Sequence, residues 1–185
     1  LHCSAGLMLT KAGVPISYLA DQAEESLEKA KYGLGIKESV TAASAKNNTT
    51  NERENKLPLP KNHIHCLGET LAWHEFTQIL QACEQLNTWQ QDYKLSTGFS
   101  YALLQWSDMA AAEKVFPAQA IWRSQVSYRV FRHLESSKDY KQNRPLLLTH
   151  SQELTKNIGN QISSLQQGYR VAVTTHLYRY RNTSH

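Results

Sequence analysis

A lysine held across a wall of small side chains can take a polyphosphate as a point charge, and the first 35 residues supply both parts. In the run Leu1 to Thr10, Ser4 and Gly6 alternate with Cys3, Ala5 and Leu7. A strand of period two puts Ser4 and Gly6 on one face with His2, Met8 and Thr10, and leaves Leu1, Cys3, Ala5, Leu7 and Leu9 on the other. Glycine in a strand interior forfeits packing, so it is best explained where a ligand or another backbone comes close. Lys31 ends the helix that follows. At about 100° per residue it falls beside Leu27 and Ala20, on the edge of a stripe formed by Ile16, Leu19, Ala20, Ala23, Leu27 and Ala30. Lys29 falls nearly opposite. The spacing therefore predicts Lys31 over the sheet and Lys29 among the acidic residues; the plainer reading of Lys31 is a snorkelling side chain that complements the helix dipole.

The elements that must position these residues carry their own signals. Lys11-Ala12-Gly13 turns the chain, Pro15 stands where a first helical position tolerates the missing donor, and Gly33 and Gly35 supply the stop. Residues 38–61 are rich in Ser, Thr, Asn, Lys and Glu and end in Leu57-Pro58-Leu59-Pro60, which reads as a long mobile loop. A short strand from His63 to Leu67 follows, then Gly68 and a helix from about Leu71 to Tyr93. His63, His65 and His74 lie close together but lack a Cys or carboxylate at metal-ligand spacing, so no metal site is assigned. Cys3, Cys66 and Cys83 are an odd number without CxxC spacing and read as reduced thiols.

From Leu95 onward the pattern is helical. Phe99, Leu103, Trp106 and Ala110 form one stripe, and Ile121, Trp122, Val126, Val130 and Phe131 form another. Leu146 to Gln166 and Tyr169 to Tyr180 supply two more, with breaks at Pro117, 139–145 and Gly168. Both tryptophans read as core rather than as stacking platforms. Charge is unevenly spread: residues 1–94 hold nine Lys/Arg against eleven Asp/Glu, and 95–185 hold eleven against five. A basic second half points to a polyanionic neighbour, with a solvated helical surface as the plainer reading. Arg123, Arg129 and Arg132 form one candidate cluster for RNA or subunit contact, and Arg170, Arg179 and Arg181 another.

Cys3-Ser4-Ala5-Gly6, the Pro15-Ile16 helix start and Ala20 to Lys31 together resemble a GGDEF-type cyclase palm, and more closely the second palm of the large signature subunit of type III CRISPR effector complexes. Gly68-Glu69-Thr70-Leu71-Ala72-Trp73, Thr97 to Leu104, Trp122-Arg123 to Tyr128 and Arg132, and Val171 to Arg181 are similar to that family in the same order, and point to subtype III-A. The resemblance implies an α+β fold: the C-terminal part of a ferredoxin-like palm over 1–72, followed by an all-α helical bundle over 73–185. It implies an intact protein that condenses ATP into cyclic oligoadenylates with Mg²⁺ or Mn²⁺ when target RNA binds, and that carries a single-stranded DNase domain. By motif position, Ser4 and Gly6 would line the nucleotide site and Lys31 would meet the triphosphate. The implied partners are the small subunit, guide RNA and target RNA.

The family's metal-binding Gly-Gly-Asp-Asp hairpin has no counterpart in these residues, and the chain opens in mid-strand without Met. The expectation is a C-terminal fragment that catalyses nothing alone, because phosphoryl transfer needs carboxylate-held metals. A hydrophobic content of 41%, 19% charged residues and a mean hydropathy of −0.54 fit a soluble cytoplasmic protein, with no apolar run of the roughly 20 residues that a membrane span needs. Two other readings use the same residues: a stand-alone GGDEF diguanylate cyclase, and a non-catalytic helical RNA-binding scaffold. The first leaves the basic bundle behind the palm unexplained.

Overall fold

In the computed structural model, residues 3–11, 13–32 and 62–183 are described. The 38–61 loop lies outside the described residues. Two compact units divide the chain, Leu1–Phe76 and Thr77–His185, whereas the sequence placed the change at Ala72 and Trp73. Element order is β1 (Ala5–Leu7), α1 (Ile16–Tyr32), β2 (His63–Cys66), β3 (Glu69–Ala72), α2 (Trp73–Tyr93) and α3 (Thr97–Ala112). A 3₁₀ helix (Pro117–Ile121), α4 (Trp122–Ser136), α5 (Lys138–Lys141), α6 (Arg144–Leu165) and α7 (Gln167–Thr183) complete it. The fold is α+β and mostly helical.

The first unit is a three-stranded sheet, β1-β2-β3, with α1 on one face. β1 and β2 are parallel, pairing Ala5 with Ile64, Gly6 with His65 and Leu7 with Cys66. β2 and β3 form an antiparallel hairpin in which His65 faces Thr70 and Ile64 faces Leu71. The parallel pair requires a crossover, and α1 lies within it. A Cβ on Gly6 would lie 2.6 Å from the backbone nitrogen of Leu27, so the helix backbone rests directly on the strand. That contact sets the rotation of α1. Ser26 and Ala30, four residues apart, are its buried residues, because only small side chains fit where helix and strand come this close. Of the expected stripe, Ala30 is buried and Leu19 and Leu27 are half-buried, whereas Ile16 is 86% exposed and Ala20 and Ala23 also face outward.

β3 was missed by the helical reading from Leu71. Leu67 and Gly68 both have positive φ, 51° and 89°, and make the two-residue turn whose twist suits a hairpin. The Nε1–H of Trp73 donates to the carbonyl of Cys3 at 2.9 Å, which ties the end of the hairpin back toward β1. A carboxylate oxygen of Glu75 accepts from the backbone N–H of Ala72 at 2.9 Å and satisfies one free donor where α2 begins.

In the second unit, α4 packs on α6 and α3 on α7. Spacings of three and four residues produce the buried faces: Ile79, Cys83 and Leu86 on α2; Phe99, Leu103 and Trp106 on α3; Val126, Val130 and Leu134 on α4; Leu147, Leu154, Ile158 and Ile162 on α6. Local capping starts two helices. Ser96 Oγ accepts from the Phe99 N–H at the head of α3, and Asn143 Oδ1 accepts from the Leu146 N–H at the head of α6. Trp106 and Trp122 are core, as their spacing implies, with indole N–H groups donating to Gln125 and Glu113. Ile121, expected in the α4 stripe, is instead 55% exposed, since it closes the 3₁₀ helix ahead of the first α4 turn.

Candidate functional site

On the α1 side of the sheet stand Gly6, His65 and Thr70, in register across the three strands, with Ser4 two residues before Gly6. The room left by Gly6 is filled by the α1 backbone at Ser26 and Leu27. Of the two explanations for a strand glycine, the close approach of another backbone is the one observed. Ser4 is half-buried, and its Oγ has no hydrogen-bond partner among the described residues. His65 is buried, with Nδ1 and Thr70 Oγ1 2.8 Å apart. Burial holds its imidazole below the ordinary range, the Lys29 ammonium adds to this, and Glu25 opposes it.

The two lysines are placed the other way round from the spacing argument. Lys29 is half-buried, bonds Glu25 at 2.7 Å one turn earlier, and acts on His65. Lys31 is exposed. The reason is the rotation of α1: with Ser26 and Ala30 against the strand, Lys29 flanks the contact and Lys31 turns away from it.

No group of three or more His, Cys, Asp or Glu side chains stands together among the described residues. His65 is engaged with Thr70 and His74 is exposed. All three cysteines are free thiols; Cys66 is buried, and burial, with Glu69 behind it, pushes its thiol up to about 11. That keeps its thiolate fraction small at neutral pH.

The candidate arginines separate by partner. Arg123 pairs with Glu113 at 2.5 Å and lies over the Trp122 ring, 4.7 Å from its centroid. Arg170 pairs with Asp108 of α3 at 2.9 Å, and Arg179 with Glu84 of α2. These three are bonds between segments of the helical unit. Arg132 pairs only locally, with Glu135 three residues on, and is 63% exposed. Arg129 is exposed on the same helix. The side chain of Arg181 lies outside the described residues.

A cleft of about 340 Å³ opens beside Arg123, lined also by Glu113, Lys114, Trp122, Ser163 and Gln166. Glu113 takes bonds from both Trp122 and Arg123, and Lys114 reaches the side-chain carbonyl of Gln166 at 3.4 Å. Sequence reasoning passed over Arg144, which reaches Glu135 at 3.9 Å and lies 6.0 Å from the Phe131 ring centroid. The available signal was the run from 129 to 144, with five Lys/Arg against two Asp/Glu. No helix among the described residues is long and apolar enough to cross a membrane. No family model, curated protein or solved structure matches the chain.

Proposed function

We propose that this chain is part of the large subunit of a type III-A CRISPR effector complex. It would contribute the end of the second, ferredoxin-like palm and the helical domain that follows. The observation that carries the reading is the ordered run of family-like motifs, from Cys3-Ser4-Ala5-Gly6 to Leu177-Tyr178-Arg179-Tyr180. The first of them falls on a β1-α1-β2-β3 unit with a parallel β1-β2 pair. On this reading the intact protein makes cyclic oligoadenylates from ATP when target RNA binds and carries a single-stranded DNase domain. The carboxylates that hold Mg²⁺ or Mn²⁺ would come from outside this chain.

Carried over by motif position alone, Lys31 would meet the triphosphate, with a side chain that is open to solvent and turned away from the α1–β1 contact. Ser4 would line the nucleotide site with a hydroxyl that has no partner among the described residues. Gly6 would serve that site by seating α1. The helical unit would dock the small subunit and the guide and target RNA.

The test uses the full-length protein in its complex, with ATP, Mn²⁺ and target RNA. Lys31→Ala should lower cyclic oligoadenylate synthesis by roughly ten- to a hundredfold, the equivalent of a lost charge-assisted phosphate contact. Lys29→Ala should leave it close to wild type. Equal activity of the two variants removes Lys31 from the site; a wild-type complex that makes no cyclic product overturns the family reading.

A further inference from the structure

We infer that the outer face of α4, with α5 and the first turn of α6, is a single-stranded nucleic-acid surface on which Tyr128 stacks a base and Arg129, Arg132 and Arg144 hold phosphates. Tyr128 and Arg132 are four residues apart and share a helix face, with Arg129 beside them. Tyr128 is 67% exposed, and the side chains of Arg132 and Arg144 are 63% and 71% exposed. Arg144 comes from the start of α6, yet reaches the same Glu135 that Arg132 bonds, so two helices deliver guanidinium groups to one spot. One carboxylate cannot neutralise both. Lys138 and Lys141 of α5 extend the positive run on the chain between them.

Two features favour nucleic acid over an acidic protein. Specific protein interfaces bury an apolar core inside a polar rim, whereas this surface exposes one large apolar side chain on α4 beyond its first turn, Tyr128, and one on the first turn of α6, Leu146, against five Lys/Arg over 129–144. A solvent-facing aromatic ring among guanidinium groups is instead the arrangement that stacks bases and tracks a phosphate backbone with little sequence preference. The ion-paired Arg170 and Arg179 lie on another helix, α7, and are tied to α3 and α2.

The surface stands on its own geometry, but it supplies the RNA contact of the family reading, so the experiment must separate the two. The probe is a labelled oligouridylate of about 20 nucleotides, titrated into the full chain by fluorescence anisotropy over a range of salt. Tyr128→Ala should weaken binding roughly five- to a hundredfold while Tyr128→Phe retains it. Arg129→Gln, Arg132→Gln and Arg144→Gln combined should reduce the log–log salt slope by about two. Arg170→Gln with Arg179→Gln should leave that slope unchanged. Circular dichroism melts confirm that each variant is folded. The inference is overturned if the triple variant keeps the wild-type slope, if the α7 pair lowers it equally, or if the triple variant loses an acidic protein partner while its RNA affinity stands. RNA binding without cyclic oligoadenylate synthesis by the intact complex leaves this surface in place and removes the family reading; synthesis with an unchanged salt slope does the reverse.

Discussion

Gly6 is the residue on which the first unit turns. Its hydrogen lies where any larger side chain would press on the backbone of Ser26 and Leu27, atoms that cannot rotate aside. Gly6→Ala gains some strand propensity, about 0.5–1 kcal/mol, but loses more to overpacking, typically about 1–3 kcal/mol. A lowered thermal midpoint is expected; an unchanged one would show that α1 can lift away freely. Two histidines set a pH limit. His65 and His176 are 6% and 3% exposed. Burial, and then the neighbouring charge of Lys29 or Arg179, holds each imidazole below its usual 6.5. Because the folded pKa is depressed, the unfolded chain takes up the proton first as pH falls. Stability should therefore be full above about pH 6.5 and decline below it. Urea midpoints near pH 7.5 and 5.5 give the comparison, and His65→Gln with His176→Gln should narrow the gap. A midpoint that rises on acidification contradicts this.

At the scale of elements, the joint between α6 and α7 stores strain. Gln166 closes α6 with φ 48° and ψ −121°, a conformation that suits glycine, while the glycine of this stretch stands two residues later at Gly168. The Gln166 carbonyl accepts from Ser107 Oγ and from the Tyr169 N–H, and these bonds hold the geometry against its cost. Such backbone costs about 1–3 kcal/mol, and a glycine returns part of the gain through its unfolded-state entropy. Gln166→Gly should thus raise stability by about 1 kcal/mol, read as a higher urea midpoint. A fall would mean that the Lys114 contact of its side chain outweighs the strain.

At the scale of the whole molecule, the basic excess of the second half is partly an internal matter. Three of its arginines bond carboxylates on other segments; the Arg170 and Arg179 pairs are exposed on both sides and contribute little to stability, whereas Glu113, the partner of Arg123, is partly buried. Replacing Arg170 and Arg179 by Gln should move the thermal midpoint by no more than a few degrees, and raising the salt to 1 M should erase even that difference. A large loss would show that the α3-α7 and α2-α7 seams depend on charge. What remains unneutralised is concentrated between Arg129 and Arg144.

The sequence by itself determined the helical second half, because its apolar spacing repeats over long segments and each buried face follows from a local period. It also determined that Trp106 and Trp122 are core, that Pro117 interrupts the helices, and that Gly6 marks a close approach; the break expected over 139–145 narrows to Gln142 and Asn143, because α5 runs to Lys141 and α6 starts at Arg144, and the one expected at Gly168 falls at Gln166 instead. Tertiary structure decided which neighbour approaches. Apolarity favoured a stripe through Ile16, Leu19, Ala20, Ala23, Leu27 and Ala30; Ala30 is buried as expected, but the contact with Gly6 brought in the small side chain of Ser26 and turned Ile16, Ala20 and Ala23 outward, and that rotation exchanged the places of Lys29 and Lys31. β3 escaped because its four residues are too few for alternation to outweigh the helix behind them, and because Leu67 takes the positive φ that a turn usually gives to glycine or asparagine. The roles of the arginines were likewise beyond spacing alone: a guanidinium is bound or open according to which carboxylate the fold brings to it, and Glu84, Asp108 and Glu113 come from helices or turns far away in the chain.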